Sequence, residues 1–385
     1  MADNRTSTGG LIHYFLRRWS RVVFLVVLLI ASAPIMANEG QEPKPAKFAV
    51  PVWHPDARWE VEEHFAGSSA PGFLDGPRRQ SQPVAGKVDL LYGVTQGGRN
   101  LLLSYDAETE MVHIVAGSAR GYLDGPFSRA RFGRNSYTAR PRFVASPDRR
   151  YFYLLDAENQ LALRRCDLEK QEVTTIRRSV KNFGGMAVDG TGKLLLIEGA
   201  KLLWLDEAGK QEKSLRLNVE EPITGIGGAG ASLALDEKHG RLYATAFGSK
   251  QWYIWYWDLK DGSFHGVLAM PPKDGGRKTN EAGPFEGTRL YNEGSVFFGP
   301  DDPDKRFLYT ARIDTFGLFR LDLEKQQVAA MTVESQKGKP AVAYFIDEGS
   351  PSRAPIYGSA RFADDGSILS SVHTPFVATR LKRIN

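Results

Sequence analysis

The sequence predicts an all-β fold, a six-bladed β-propeller of four-stranded antiparallel blades, and three observations lead to it. Stretches in which polar and apolar residues alternate recur after residue 48, and none there has the period of an amphipathic helix. Two series of aspartate-bearing turns recur at about the length of one blade. An unpaired strand before the first repeat matches a strand that is missing from the last one.

The most literal internal repeat is a polar turn between two strands. Asp167-Leu-Glu-Lys-Gln-Glu-Val173 matches Asp322-Leu-Glu-Lys-Gln-Gln-Val328, and weaker copies start at Asp106, Asp206 and Asp258. Aspartate suits such turns because its side chain accepts hydrogen bonds from backbone amides two residues on. Successive turn aspartates lie 39 to 64 residues apart, which fits blades of ~40–50 residues with loops of variable length.

A second series of turns precedes the first within each unit, and an apolar strand follows each member. Each unit is therefore predicted as strand, turn, strand, loop, strand, turn, strand. The turns of this series are Ala145-Ser-Pro-Asp148, Ala187-Val-Asp189, Ala234-Leu-Asp236, Phe298-Gly-Pro-Asp301 and Ala363-Asp-Asp-Gly366. Five units end near residues 115, 176, 218, 270 and 332.

A sixth unit starts at Gly358 and ends one strand short at the C-terminus. Residues 58–66 form an orphan strand before the first unit and supply the missing outer strand. Closing the ring in this way removes open sheet edges, which otherwise promote aggregation. We therefore expect six blades closed by the N-terminal strand, with seven blades as the alternative.

The N-terminus has the arrangement of a signal peptide. Arg17, Arg18 and Arg21 precede the apolar run 22–31, and Ala37 stands at a signal-peptidase site. The run is shorter than the ~20 apolar residues of a spanning helix. We expect a signal peptide (residues 1–37), a linker (38–57) and the propeller (58–385), in a secreted or periplasmic protein. The alternative is an uncleaved anchor holding an outward-facing domain, and we expect no other contact with a membrane.

Composition excludes a cysteine-based site and argues against a nucleic-acid partner. Cys166 is the only cysteine among 385 residues, so neither a disulfide within one chain nor a zinc site of several cysteines can form. The formal net charge is +5, and no basic run with interleaved aromatic residues appears.

A longer motif links the outer strand of one unit to the next unit. Residues 113–132 are His-Ile-Val-Ala-Gly-Ser-Ala-Arg-Gly-Tyr-Leu-Asp-Gly-Pro-Phe-Ser-Arg-Ala-Arg-Phe, and residues 65–77 are an eroded copy. Leu155-Asp-Ala-Glu-Asn159, followed by Arg164, has the features of a matching strand start. These segments resemble NHL-repeat proteins. The resemblance is specific in two blades and implies a six-bladed propeller, distantly similar to the gluconolactonase- and regucalcin-like superfamily of scaffolds, ligand binders and enzymes.

Three long loops join an outer strand to the next inner strand: Gly117–Arg142, Pro271–Tyr291 and Glu334–Tyr357. On a propeller such loops gather over one mouth of the channel, and long loops on a rigid scaffold often carry binding residues. The first loop is rich in arginine, whose forked donors suit carboxylate, sulfate or phosphate. We expect the ligand to bind at Arg134, Tyr137, Arg140 and Arg142.

Arg129 and Arg131 of the same loop have two interpretations that the sequence weighs equally. They either contribute to that site or belong to the structural connector and pair with carboxylates of the blade turns.

Metal binding is a further alternative. Asn182, Asn292 and Glu293 precede innermost strands and are candidates for the channel mouth. Gluconolactonase-like enzymes hold a divalent metal there, but their Ser-Asn-Gly-Leu segment before a Trp-Ser-x-Asp turn is absent here. The sequence requires no cofactor; a divalent cation such as calcium is the alternative. Asp301-Asp-Pro-Asp304 has suitable carboxylates, although we favour a hairpin turn there.

The richest aromatic stretch is Gln251-Trp-Tyr-Ile-Trp-Tyr-Trp257. It suits either a sugar-stacking platform or the core, and we favour the core because neighbouring blades cover both faces of inner strands.

These features together predict an exported binding or interaction module for a small-molecule, glycan or protein ligand. The ligand expected at the channel mouth is anionic or carbohydrate-like. The alternative is a lactonase- or lyase-type enzyme that uses the channel, with or without a divalent metal. Neither a Gly-x-Ser-x-Gly elbow nor a His-Glu-x-x-His segment is present.

Overall fold

The computed structural model describes residues 50–67, 89–94, 100–106, 111–119, 121–133, 143–157, 160–218, 232–245, 252–269, 282–288, 290, 295–312, 317–334, 360–362, 366–373 and 376–385. All of them belong to Phe48–Asn385, one of the two compact units into which the chain divides. This part of the chain forms strands, turns and loops without a helix, and so has no helical segment suited to crossing a bilayer.

Strands account for all regular structure in the described residues. The first half of the chain contains β1 (Arg58–Gly67), β2 (Asp89–Val94), β3 (Asn100–Asp106), β4 (Met111–Ala116), β5 (Gly125–Pro126), β6 (Phe143–Ala145), β7 (Tyr151–Ala157), β8 (Leu161–Asp167), β9 (Glu172–Arg177), β10 (Phe183–Val188), β11 (Leu194–Glu198), β12 (Lys201–Leu205) and β13 (Gln211–Arg216). The second half contains β14 (Ser232–Asp236), β15 (Arg241–Thr245), β16 (Trp252–Asp258), β17 (Phe264–Ala269), β18 (Gly283–Pro284), β19 (Ser295–Phe298), β20 (Phe307–Arg312), β21 (Gly317–Asp322), β22 (Gln327–Ala330), β23 (Thr332–Glu334), β24 (Ala360–Phe362), β25 (Ile368–His373) and β26 (Phe376–Arg383).

These strands form six sheets, numbered here in chain order. Sheet 1 has the order β2-β3-β4, sheet 3 has β10-β11-β12-β13 and sheet 4 has β14-β15-β16-β17. Sheets 2, 5 and 6 have the orders β5-β9-β8-β7-β6, β18-β22-β21-β20-β19 and β23-β1-β26-β25-β24. Within this part of the chain, neighbouring strands are antiparallel except for the parallel pair β1 and β23. The predicted all-β class and its four-stranded antiparallel units are confirmed.

The first strands of consecutive sheets lie side by side. β6, β10, β14, β19 and β24 each contact the next in chain order. The alignment is explicit between sheets 4 and 5, where the Val296 amide donates to the Ser232 hydroxyl over 3.1 Å near the start of both strands. The strand starts of these two sheets therefore lie at the same end, as in a propeller.

The hydrophobic core is divided among the interfaces between sheets, because sheets 2 to 5 each pack on both faces. Each cluster combines buried side chains from two successive sheets, as the strands' runs of buried residues require. Pairs that represent the interfaces are Leu102 and Phe152 for sheets 1 and 2, Tyr153 and Leu196 for sheets 2 and 3, Leu202 and Trp257 for sheets 3 and 4, Tyr253 and Leu308 for sheets 4 and 5, and Tyr309 and Ile368 for sheets 5 and 6.

Two crossing segments, residues 121–133 and 282–290, cover outer sheet edges. Gly125-Pro126 pairs with the first residues of β9, and Gly283-Pro284 pairs with β22 in the same way. In sheet 6, β23 covers the outer edge of β1. A fifth strand was not part of the sequence prediction, and its physical effect is to satisfy edge hydrogen bonds that would otherwise be open to other chains.

The N-terminal strand pairs with the C-terminal one. β1 runs antiparallel to β26, with Trp59 opposite Arg383, so the strand that the sequence places at residues 58–66 lies where it was predicted. Residues 50–57, part of the predicted linker, pack here too. Val52 and Ala57 are buried in the cluster around Trp59, and the Val52 amide donates to the Asp301 carboxylate over 2.8 Å.

The turn aspartates do what the sequence predicts. Asp167 accepts bonds from the amides of Glu169 and Lys170, and Asp322 accepts the equivalent pair in sheet 5. Asp206 accepts from two amides of its turn at 2.9 and 2.8 Å. These bonds fix the hairpins between the third and fourth strands.

Candidate functional site at the start of the first strands

Most of the site predicted from sequence lies in a segment whose two ends are fixed. Arg134, Tyr137, Arg140 and Arg142 lie outside the described residues. Before them, the Gly133 amide donates to both oxygens of the buried Asp156 carboxylate at 2.9 and 3.1 Å. After them, Phe143 begins β6, the first strand of sheet 2. The four candidates therefore connect Asp156 in β7 to the start of β6.

The other two candidates outside the described residues have a similar setting. Asn292 and Glu293 lie between the buried Leu290, which ends the second crossing segment, and Ser295, which begins β19. The first strand of sheet 5 is thus reached, like that of sheet 2, through a candidate polar segment.

Asn182 is the one predicted site residue that the structure describes. It immediately precedes β10 and is exposed, with a left-handed backbone (φ 47°). Its carbonyl oxygen accepts a bond from the Gly199 amide over 2.9 Å, in the turn between the second and third strands of sheet 3. Its side chain is therefore open to solvent at the end of the sheet where the first strand starts.

A carboxylate that the sequence interpretation did not single out anchors this region. Glu198 accepts from the Lys181 amide over 2.9 Å and from the Arg177 guanidinium over 2.6 Å. Both side chains of the ion pair are about one quarter exposed, at 28% for Arg177 and 20% for Glu198. No motif marks Glu198, which ends an apolar strand, and only the fold brings it next to the chain that precedes β10.

The first crossing segment rests on a buried charge network. Arg164, fully buried, donates to Asp156 over 2.6 Å and to Asp124 over 2.9 Å, and also to the carbonyl oxygens of Arg131 and Leu123. Although burial lowers the pKa of Arg164, the neighbouring Asp156 and Asp124 carboxylates raise it above its usual value. The network is structural, because protein donors and acceptors satisfy its members.

This network favours the connector interpretation for Arg131, whose carbonyl oxygen belongs to it. Arg129 and Arg131 are exposed, and no carboxylate among the described residues pairs with either side chain. Asp124 of the crossing segment pairs instead with Arg164, which comes from β8. The arginine that supports the connector lies some forty residues away in sequence, where the fold buries it beneath the crossing.

Cys166 is not a nucleophile. It is fully buried in the core between sheets 1 and 2, and burial raises its pKa to about 12. A thiol with that pKa stays protonated at neutral pH, whereas reactivity requires the thiolate.

The aromatic stretch 251–257 lies mainly in the core, as favoured from sequence. Tyr253, Ile254, Trp255 and Trp257 are buried, while Trp252 and Tyr256 are half-buried. The Tyr256 ring is already in contact with protein side chains, because His265 stacks on it at 4.7 Å and the Arg241 guanidinium lies over it at 4.9 Å.

Residues 301–304 form a turn, as favoured from sequence. The Asp302 carboxylate accepts from the Phe307 amide, Asp301 accepts from the Val52 amide, and Asp304 pairs with Lys238. The three carboxylates thus have separate protein partners. Within the described ranges no group of three or more potential metal ligands converges.

Comparison with known proteins finds likeness at the level of the fold. No family model matches the sequence, and a search of curated proteins found no match. A solved protein of unknown function from Bacteroides thetaiotaomicron is 15% identical, with a TM-score of 0.50, over 84% of this chain and 76% of that one.

Two further solved structures are more distant. TolB from Acinetobacter baumannii is 14% identical, with a TM-score of 0.44, over 77% of this chain and 63% of TolB, so this chain spans less than two thirds of TolB's length. A gluconolactonase from Xanthomonas campestris is 13% identical, with a TM-score of 0.41, over 75% of this chain and 80% of that one. At 15% identity, the likeness to the Bacteroides thetaiotaomicron protein concerns the fold alone.

Proposed function

We propose that this protein is an exported ligand-binding propeller that takes an anionic ligand where the first strands of its sheets begin. The supporting observation is the common position of the candidate segments. Residues 134–142 precede β6, Asn182 precedes β10, and residues 291–294 precede β19. First strands of successive sheets are in contact, so each of these polar segments leads directly into one of a row of neighbouring strands.

The architecture proposed is a closed ring of six blades related to NHL-repeat proteins. Six sheets, first strands in serial contact, and the pairing of β1 with β26 support it. Deleting residues 48–66 removes the outer strand of sheet 6 together with the fully buried Trp59. We expect the unfolding temperature of the whole domain to fall. A truncated protein that melts like the mature chain would refute ring closure.

Arginine explains the preference for an anion. Each charge-assisted hydrogen bond contributes roughly 1.5–3 kcal/mol when well aligned. Replacing Arg140 and Arg142 by alanine should therefore weaken binding about a hundredfold or more, at tenfold per 1.4 kcal/mol. Tyr137 and Arg134 complete the proposed site in the same segment.

The experiment compares the Arg140→Ala/Arg142→Ala variant with the wild type against galacturonate, trigalacturonate and neutral maltotriose, using calorimetry. Arg129→Ala/Arg131→Ala is the matched control, because it also removes two arginines of the same loop, both exposed. We expect loss of acidic-ligand binding in the first variant and not in the control. Equal binding by both variants would refute the site, and wild-type binding of the neutral sugar alone would refute the electrostatic premise.

The lactonase-type alternative has its own signature in the same samples. Hydrolysis of a sugar lactone by the wild type, lost on chelation and restored by calcium, would replace the binding role by catalysis.

Export is proposed from the N-terminal segment alone. N-terminal sequencing of protein recovered outside the cytoplasm should begin near Asn38. Recovery of intact residues 1–37 on a membrane-bound form would favour the anchored alternative.

A further inference from the structure

The short connector between sheets 2 and 3, residues 178–182, is held at almost every residue. The Val180 amide donates to Leu161 over 2.9 Å, and the Lys181 amide donates to Glu198. The Ser179 hydroxyl donates to Gln160, and the Asn182 carbonyl accepts from Gly199. The connector is therefore a fixed element, and it lies where β8 and β10 both start.

Its backbone is also held in an uncommon conformation. Ser179 (φ 56°) and Asn182 (φ 47°) are both left-handed without being glycine. Serine adopts this region rarely, and such conformations persist only where surrounding contacts impose them, often at functional sites. Two of them within four residues aim the connector's side chains in directions that an ordinary loop would not hold.

The fixed connector presents two cations to solvent. Arg178 and Lys181 are exposed, and neither side chain pairs with a carboxylate in the described part of the chain. The Glu198 carboxylate, which holds the connector, is engaged by Arg177 and the Lys181 amide. Exposed cations alone do not indicate a binding site, since Lys170 and Lys210 are exposed too. Those two lysines, however, follow the ends of the third strands, β8 and β12, whereas the connector lies where β8 starts.

We infer that this connector is a second anion-binding element of the same site, in which Arg178, Lys181 and Asn182 take a second acidic group of the ligand. The inference rests on the proposed function, because the first element is residues 134–142. β6 and β10 are in contact, so the two elements precede neighbouring first strands. The connector is fixed to sheet 3 at Glu198, and Gly133, the residue before the first element, is fixed to sheet 2.

Two cationic elements that precede the first strands of neighbouring sheets would select the ligand's chemistry. A single carboxylate can satisfy one element, whereas an oligosaccharide carrying carboxylates on successive rings can reach both. The inferred ligand class is therefore an acidic oligosaccharide with at least two carboxylates. Linking two contacts in one ligand makes the second contact intramolecular and raises affinity above that for the monomer.

The test compares Arg178→Gln/Lys181→Gln with the control Lys170→Gln/Lys210→Gln, which removes the same charge at the far end of the third strands. Calorimetry against trigalacturonate, galacturonate and maltotriose is the readout, with melting temperatures confirming that both variants fold. We expect the connector variant to lose about tenfold to a hundredfold in affinity for the trimer. Its affinity for the monomer and the control's affinity for both should stay at the wild-type value.

The outcomes separate the two proposals. If the connector variant binds the trimer like the wild type while Arg140→Ala/Arg142→Ala does not, the connector inference is wrong and the proposed function stands. If the wild type binds the trimer no better than maltotriose, the proposed function fails and the inference fails with it. An equal loss of trimer binding in the Lys170/Lys210 control would reduce the effect to net charge and overturn the inference.

Discussion

The two crossing segments make the same backbone hydrogen bonds but pack over different side chains. In each, a Gly-Pro pair bonds to the outer strand, and the following phenylalanine amide donates over 2.8 Å to a glutamine carbonyl, from Phe127 to Gln171 and from Phe285 to Gln326. Those glutamines end the two most similar turns of the chain. The last residue of the repeated Asp-Leu-Glu-Lys-Gln sequence therefore accepts the backbone hydrogen bond of the crossing segment.

Beneath the first crossing lies an ion network, and beneath the second lies an apolar contact. Aligning Asp167 with Asp322 makes Phe319 the counterpart of Arg164, and the Gly-Pro pairs make Ala282 the counterpart of Asp124. Phe319 is 3% exposed and belongs to a cluster that Phe285 joins. The crossing segment thus depends on its backbone hydrogen bonds and its Gly-Pro-Phe sequence. Either a buried ion network or an apolar side chain can support it from beneath.

The largest expected effect on stability comes from breaking the ion network beneath the first crossing segment. Arg164→Met removes the guanidinium that pairs with the fully buried Asp156 carboxylate at 2.6 Å. Removing one partner of a buried ion pair costs about 3–5 kcal/mol, because the remaining charge is uncompensated. We expect the free energy of unfolding, measured by urea denaturation, to fall by that amount.

A second variant separates charge from packing. Arg164→Met/Asp156→Asn removes both charges of the fully buried Arg164–Asp156 pair and brings the first crossing closer to the apolar second one, so it should recover part of the loss. A loss below about 1 kcal/mol for Arg164→Met, typical of an exposed pair, would show that the network is not buried in solution.

Sheets without a crossing segment have a tighter junction, and a glycine substitution tests it. Gly262 (φ 76°) ends the corresponding turn of sheet 4, and a Cβ there would overlap the carbonyl oxygen of Arg216. Gly262→Ala should cost about 1–2 kcal/mol for the left-handed conformation and about 1–3 kcal/mol more for displacing the neighbouring strand.

Gly240→Ala is the matched control. Gly240 is also left-handed (φ 64°), but a Cβ there meets nothing within 4 Å. It should show the conformational cost alone in the same denaturation experiment. Equal losses for the two variants would mean that the strand end of sheet 3 does not abut this turn.

The comparison also shows what sequence could and could not predict. The turn repeat, the four-stranded units and the strand at residues 58–66 were predictable, because local patterns encode hairpins. The second crossing was missed because its aspartate is Ala282 and its Ala-Arg-Phe end is Thr288-Arg-Leu290. Gly283-Pro284-Phe285 was the remaining signal, 45 residues before Val328, as Gly125-Pro126-Phe127 is 48 before Val173.

Contacts between distant residues explain the other misses. Arg164 was placed in a strand from its motif, but its pairing with Asp124 depends on the chain crossing over β8. Glu198 and the left-handed Ser179 carry no sequence signature, since their roles come from packing between sheets 2 and 3. The predicted arginines of residues 134–142 lie outside the described residues and stay predictions.

Acid should weaken the turn of sheet 5 that contains Asp322. Burial alone would raise the pKa of Asp322, but hydrogen bonds from Arg306 and the Lys325 amide outweigh it and hold the pKa below its usual value. A carboxyl whose pKa is depressed in the folded state contributes stability above its unfolded pKa, about 3.9. That contribution is lost as pH falls through the folded value.

The measurement is the melting temperature of the wild type and Arg306→Met between pH 6 and pH 2. The difference between them should be largest above about pH 4 and shrink as the pH falls below it. Arg150→Met is the control in the first turn, because Arg150 pairs with the exposed Glu169 and not with Asp167. A gap that stays constant to pH 2 would contradict the ion-pair contribution.

The smallest expected effect concerns the glutamines that receive the crossings. Gln171 (φ 54°) and Gln326 (φ 53°) are left-handed and exposed, at the position that Gly262 occupies in sheet 4. A crossing segment is inserted here, and only the carbonyl oxygen of each glutamine is needed to bond the phenylalanine amide.

Glycine at either position would avoid the left-handed cost of about 1–2 kcal/mol but lose about 0.4–1 kcal/mol through the more flexible unfolded chain. Gln171→Gly and Gln326→Gly should therefore each stabilise the fold by about 0.5–1 kcal/mol in urea denaturation. Gln327→Gly, one residue on and paired within β22, should instead destabilise it by about 0.5–1 kcal/mol. Destabilisation by all three substitutions would mean that the glutamine side chains themselves hold the crossings.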